Sequence, residues 1–170
     1  MKRIFCIATI ALAATLPVHA EETGLNSEAV VDFFVESAAL GKTRGICVGT
    51  ADECAQPEPE GLDMLVNFEL DSADLTSVAR ENLAVFADAL KDERLKDSSF
   101  VVEGHTDARG IDGYNEELSR ARAASVQAYL IELGVSEERL EAIGLGETQP
   151  RTENGLDPEN RRVELRIAIQ

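Results

Sequence analysis

Apolar side chains recur at spacings of three and four through Leu75, Ala79, Leu83, Phe86 and Leu90, which predicts a helix over 75–90 with Thr76 as its cap. A longer helical pattern covers 114–133 and is stopped by Gly134. An earlier one covers 28–40, with Ser27 as cap and Gly41 as terminator. Strands are predicted at 62–68 (LDMLVNF), 99–103 (SFVVE) and 140–145, and at 162–169, where RVELRIAI alternates apolar and polar positions as a half-buried strand does. Ser136 starts one further turn, and 146–158 is a polar loop with two prolines. The order from residue 62 onward is β-α-β-α-β-β. It predicts an α+β fold: a mixed sheet of about four strands with helices packed on one face.

The chain before residue 62 has a different character. Lys2 and Arg3 precede a mostly apolar run from Ile4 to Leu16, and Val18-His19-Ala20 offers a cut after Ala20. Residues 1–20 therefore read as a secretory signal peptide, too short before Pro17 to span a bilayer. Cys6 precedes most of the apolar run and cannot become a lipid-modified first residue, so no lipid anchor is expected. Residues 21–61 form an N-terminal extension that ends in the extended polar linker Gln56-Pro57-Glu58-Pro59-Glu60-Gly61, and residues 62–170 form the main domain. Cys47 and Cys54, the two cysteines left after cleavage, are expected to form a disulfide in an exported protein. With one histidine left to assist them, they are not read as a metal site.

Charge narrows the function. The 170 residues carry 32 acidic and 16 basic side chains, and with Lys2 and Arg3 removed the balance is 14 basic against 32 acidic, or −18. Binding along a nucleic-acid backbone needs a basic face and is excluded. A soluble periplasmic protein is expected, with peripheral attachment to the outer membrane as an alternative.

One basic residue stands out. An α-helix advances 100° per residue, so with Leu118 set at 0° the positions Ser125, Tyr129, Leu133 and Val126 fall within about −20° to +80° and form the inward arc. Arg122 falls at about +40° and Asn115 at about +60°, inside that arc, whereas Arg120 falls at about −160°, facing solvent. A guanidinium cannot shed its charge, so Arg122 must meet an acceptor or reach water. Asp107, in the loop leading to this helix, is the nearest candidate partner in sequence. Two readings are open. In one, Arg122 and Asp107 form a structural ion pair, or Arg122 snorkels to water. In the other, Arg122 forks onto a ligand carboxylate while Asp107 accepts from a ligand ammonium, so that the two receive a free amino acid head.

Several motifs in order carry a family resemblance. Gly104-His105-Thr106-Asp107, Gly110, Tyr114-Asn115, Leu118-Ser119, Arg122-Ala123 and Val126 resemble the central signature of the OmpA-like C-terminal domain. Asn67-Phe68 with Asp71-Ser72 resembles its first-strand motif, and Gly144-Leu145-Gly146, Pro150 and Asn160-Arg161-Arg162-Val163-Glu164 resemble its closing motif. The family includes the C-terminal domains of OmpA and MotB and the lipoprotein Pal, which bind peptidoglycan without catalysis. The resemblance implies that Asp107 holds the ammonium, and Arg122 the carboxylate, of diaminopimelic acid in the stem peptide. It also places Thr106, Asn115 and Arg161 at the site and Asp71 at its rim. No cofactor or metal is implied.

The sequence has no membrane barrel, lipid-attachment cysteine after the signal, or transmembrane helix to match the family's tethered members. Residues 21–61 either dock an envelope protein partner or pack against the domain. An enzyme is the remaining alternative, suggested by His105 near Asp107. Against it, the chain has no nucleophile elbow and no HExxH.

Overall fold

In the computed structural model, residues 25–42, 60–66, 68–69 and 71–168 are described. The signal segment and the Cys47–Cys54 pair lie outside them. The described elements are helix α1 (Ser27–Lys42), strand β1 (Leu62–Asp63), helix α2 (Ser77–Leu90), strand β2 (Phe100–His105), helix α3 (Asp112–Glu132), strand β3 (Leu140–Gly146) and strand β4 (Val163–Ile167). The sheet order is β1-β4-β2-β3. β2 and β3 run parallel across the α3 connection, and β4 is antiparallel to both β1 and β2. This is the expected mixed four-stranded α+β arrangement. Among the described residues no helix is long and apolar enough to cross a membrane.

Alternation along β2 and β4 divides the sheet into two unlike faces. Phe100, Val102, Val163, Leu165 and Ile167 are buried on the face that the helices cover. Glu103, His105, Arg162, Glu164 and Arg166 lie at the intervening positions and form a charged opposite face. α2 begins at Thr76, whose hydroxyl accepts from the Ala79 N–H at 3.1 Å, and buries Ala79, Leu83, Phe86 and Leu90.

Three expectations need correcting. The first strand pairs only over Leu62–Asp63, because Leu65 turns into the left-handed region at φ 51° and breaks the ladder. Met64 and Val66 are nonetheless buried, and Phe68 makes an isolated bridge to Leu75. The cap of α1 is Asn26, whose side chain accepts from the Ala29 N–H at 2.8 Å, one residue before the expected Ser27. Third, the buried arc of α3 is Asn115, Ser119, Arg122, Ala123, Val126 and Leu130, rotated from the expected one, and Leu118, Ser125 and Tyr129 are only half-buried. The rotation follows from close packing. A Cβ on Gly104 would stand 2.1 Å from the Ser119 carbonyl oxygen, and one on Gly144 would stand 2.4 Å from the Arg120 amide nitrogen. The helix thus lays its own backbone at Ser119 and Arg120 against two glycines, which brings its axis closer to the sheet than any larger residue at those two sheet positions would allow.

Helix α1 packs into the same core. Val30, Val31 and Phe34 are buried, and Phe34 meets Phe100 edge-on at 5.1 Å. Arg94 staples its outer side, donating to Glu28 at 3.0 Å and to Asp32 at 3.2 Å. The apolar stripe of this part of residues 21–61 is therefore turned into the domain.

Candidate functional site

The C-terminal end of β2 delivers Thr106 and Asp107 to a cavity of about 410 Å³. The Thr106 N–H donates to the Gly146 carbonyl at 2.8 Å, and the Gly146 N–H donates to the Ser119 hydroxyl at 2.9 Å. That chain of bonds fixes the ends of β2 and β3 to the first turns of α3. All six residues expected at the site, Asp71, Thr106, Asp107, Asn115, Arg122 and Arg161, line this cavity. Phe68, Glu69, Arg109, Tyr114 and Leu118 join them. Tyr114 and Leu118 stood within the sequence signature without an assigned role; Glu69 had no signal there.

Asp107 and Arg122 do not pair. Asp107, 5% exposed, accepts from Arg161 at 2.7 Å, from the Arg109 guanidinium at 3.4 Å and from the Arg109 N–H at 3.1 Å. Arg122, 7% exposed, donates its Nε to the Ser72 carbonyl at 3.0 Å and lies over the Phe68 ring at 5.0 Å. Among the described residues its two terminal nitrogens have no hydrogen-bond partner, and no carboxylate forms an ion pair with it. The structural ion-pair reading is thereby corrected: Arg161 reaches Asp107 from the turn before β4, whereas Arg122 is held off by the Ser72 and Phe68 contacts. Burial pushes the Arg122 guanidinium below its ordinary pKa, and the nearby charge of Arg161 adds to this. An incoming anion would relieve both costs.

The remaining polar groups set the rim. Asn115 is 2% exposed and donates to the Asp107 carbonyl at 3.3 Å and to the Glu147 carboxylate. The Tyr114 hydroxyl donates to Asp71, which sits in the left-handed region at φ 58°. That bond raises the Tyr114 pKa. The Thr106 hydroxyl is buried and, among the described residues, has no hydrogen-bond partner. The cavity thus combines three carboxylates (Glu69, Asp71, Asp107), three guanidiniums (Arg109, Arg122, Arg161) and one unsatisfied hydroxyl. Such a lining is matched to a ligand bearing both charges.

Behind the site, the charged sheet face forms a closed ion network. Glu103 holds Arg166 at 2.9 Å, and Glu164 holds Arg162 at 2.6 Å and Arg151 at 2.9 Å. His105 is 1% exposed, and among the described residues neither ring nitrogen has a hydrogen-bond partner. Desolvation first, then the charge of Arg162, depresses its pKa from 6.5 to about 4, so the ring is neutral near pH 7. Donor atoms of Glu103, His105 and Glu164 lie within 4.8 Å of one another. Both carboxylates are already engaged by arginines, and a cation there would add to their positive charge, so the cluster reads as a structural network rather than a metal centre.

Comparison with known proteins places this geometry among relatives. The OmpA family matches residues 67–164. A peptidoglycan-associated lipoprotein of Pseudomonas putida is 35% identical over 165 residues, covering 94% of both chains. A peptidoglycan-associated lipoprotein of Pseudomonas aeruginosa is 43% identical over 103 residues, covering 58% of this chain and 59% of the relative. The crystal structure of the peptidoglycan-associated lipoprotein from Burkholderia pseudomallei superimposes with a TM-score of 0.54 at 30% identity, over 61% of this chain and 88% of that one.

Proposed function

The chain belongs to the OmpA family, and from that premise we propose that it binds peptidoglycan in the cell envelope through the diaminopimelate residue of the stem peptide. The protein is a binding domain rather than an enzyme. The observation that carries the ligand assignment is the separation of charge in the cavity. Arg122 presents two unpartnered terminal nitrogens, the geometry that a carboxylate takes in bidentate fashion. Asp107 presents a buried carboxylate already oriented by Arg161 and the Arg109 N–H, with lone-pair capacity left for an ammonium. The Thr106 hydroxyl supplies a further donor for the ligand carboxylate, and Asn115 holds the Asp107 main chain in place. Arg161 acts through Asp107, and Asp71 forms the rim through Tyr114.

The test is co-sedimentation of the full chain with purified sacculi. Asp107→Ala and Arg122→Ala are each expected to abolish binding while leaving the circular dichroism spectrum unchanged. Undiminished binding by both variants would overturn the site assignment. Titration with a diaminopimelate-containing peptide, followed by amide chemical shifts of Thr106 and Asp107, identifies the ligand independently.

A further inference from the structure

The loop between β3 and β4 brings Arg161 to Asp107, yet it sends no apolar side chain into the core. Every residue from 149 to 159 is exposed or half-buried, Leu156 included, and only at the loop's end is a residue, Asn160, fully buried. What holds such a loop in shape is therefore polar. Burying a carboxamide is costly unless it is hydrogen-bonded, so the bonds that Asn160 makes decide what it does.

Those bonds go to the loop itself. The Asn160 Oδ1 accepts from the Arg151 N–H at 2.8 Å and from the Thr152 N–H at 3.3 Å, and its Nδ2 donates to the Asn154 carbonyl at 3.0 Å. Three of the four bonds open to an asparagine side chain are thus spent on one loop. The main chain is held as well: the Asn160 N–H donates to the Asp157 carbonyl at 3.1 Å, and the Arg161 N–H donates to the Pro158 carbonyl at 3.0 Å. The loop knotted in this way meets the turn at Asp107 twice. Its Gly155 carbonyl accepts from the Ala108 N–H at 2.8 Å, and Arg161, the residue after Asn160, donates to Asp107 at 2.7 Å. The following residue, Arg162, is engaged instead by Glu164 at 2.6 Å, on the charged sheet face. Two adjacent arginines thus serve different partners immediately after the knot.

We infer that Asn160, which does not itself line the cavity, is a positioning residue for ligand binding: its side-chain amide knots the 151–160 loop so that Arg161 meets Asp107, and through that bond it sets the Asp107 carboxylate for the ligand ammonium. This rests on the reading of Asp107 as the ammonium acceptor. The Arg161 side chain is 42% exposed and long. On an unfixed loop it would give up main-chain as well as rotamer freedom to reach Asp107, and the knot takes the main-chain part beforehand.

The experiment measures the affinity of the full chain for a diaminopimelate-containing peptide by titration calorimetry, together with the Arg161 Nε–H resonance, assigned by its disappearance in Arg161→Ala. Asn160→Ala and Arg161→Ala are each expected to weaken binding about tenfold, the range of one hydrogen bond to a charged group. Asn160→Ala should also move the Arg161 resonance toward that of a free guanidinium. Combined with Arg161→Ala, it should change affinity by less than about twofold further, because its effect runs through a side chain no longer there. Phe34→Ala, remote from the loop, separates positioning from stability alone: it should lower the melting temperature and leave both the affinity and the Arg161 resonance unchanged. Asn160→Asp keeps the acceptor for the Arg151 and Thr152 N–H groups and gives up only the donation to Asn154. It should bind within about threefold of the wild type with the resonance in place, and it carries the test if Asn160→Ala does not fold. Undiminished affinity in Asn160→Ala or Arg161→Ala, an equal further loss in the double variant, the same loss in Phe34→Ala, or a folded Asn160→Asp without binding overturns the inference and leaves the cavity assignment standing. Failure of the wild type to bind the peptide overturns the ammonium reading of Asp107 and the inference with it.

Discussion

Asp107 and Arg122 line one cavity, both nearly buried, and they do not touch: Asp107 is paired with Arg161 at 2.7 Å, and Arg122 is held by the Ser72 carbonyl at 3.0 Å. Opposite charges kept apart in this way remain available to a guest. A direct pair would have neutralised both and closed the site.

That separation makes the fork of Arg122, rather than its charge alone, the feature to test. Lysine keeps the positive charge but cannot make two parallel bonds to one carboxylate. Arg122→Lys is therefore expected to weaken binding of a diaminopimelate peptide roughly ten- to hundredfold, the range of one lost charge-assisted hydrogen bond. Titration calorimetry reads this directly. Affinity within a factor of two of the wild type would mean that the guanidinium geometry is not used.

Acid should loosen the fold through the network behind the site. His105 protonates at about 4 in the folded chain, below its ordinary 6.5, because burial and then Arg162 oppose its charged form. The unfolded chain therefore takes up this proton first as pH falls. The stability from a neutral His105 is fully present above pH 6.5 and is lost as pH drops toward 4. Glu164 acts in the same direction. Burial would raise its pKa, but hydrogen bonding and charge from Arg162, followed by Arg151, hold it below 4.5, so its stabilisation is lost on acidification below that value. Urea midpoints at several pH values between 7.5 and 4 should fall steadily, and His105→Gln should flatten the upper part of that curve. A pH-independent midpoint, or one that rises on acidification, would contradict this account.

Much of the site was legible in the sequence because its residues form one local signature, and each of the six expected positions lines the cavity. The inward placement of Arg122 also followed from helical spacing. The ion partners did not. Asp107 is bound by Arg161, 54 residues away, and only the register of β4 beside β2 brings them together. The short first strand is not legible from pattern, because the buried residues Met64 and Val66 keep a strand-like alternation while the left-handed Leu65 breaks the ladder. The rotation of α3 escapes helical spacing because hydrophobicity favours Leu118 and Tyr129, whereas Gly104 and Gly144 on the sheet admit the helix backbone at Ser119 and Arg120.

Those glycines yield a third prediction. A Cβ at Gly104 would stand 2.1 Å from the Ser119 carbonyl oxygen, which is helix backbone and cannot rotate aside. Gly104→Ala should push α3 off the sheet and cost about 1–3 kcal/mol, as overpacking does. It should also weaken ligand binding, because Ser119 ties α3 to Gly146, whose carbonyl accepts from Thr106. Gly113→Ala is the control, since a Cβ there meets nothing within 4 Å. Thermal melts of the two variants should differ clearly. Equal melting temperatures would show that the close helix–sheet approach carries no stability.

The last prediction concerns where the folding unit begins. Sequence composition separates residues 21–61 from the domain that follows, yet Phe34 is fully buried and packs edge-on against Phe100 of β2. If α1 completes the core, truncating this ring removes a large apolar group from the centre of the domain. Phe34→Ala should then cost about 3–5 kcal/mol, the range for a buried aromatic. The loss should appear as a lower urea midpoint in a single cooperative transition, because α1 and the sheet would unfold together. Val35→Ala, one residue on and 38% exposed, should change stability by no more than about 0.5 kcal/mol. If Phe34→Ala were as mild as Val35→Ala, α1 would be an appendage resting on a core that is stable without it. If its unfolding split into two transitions, α1 would form a separate cooperative unit.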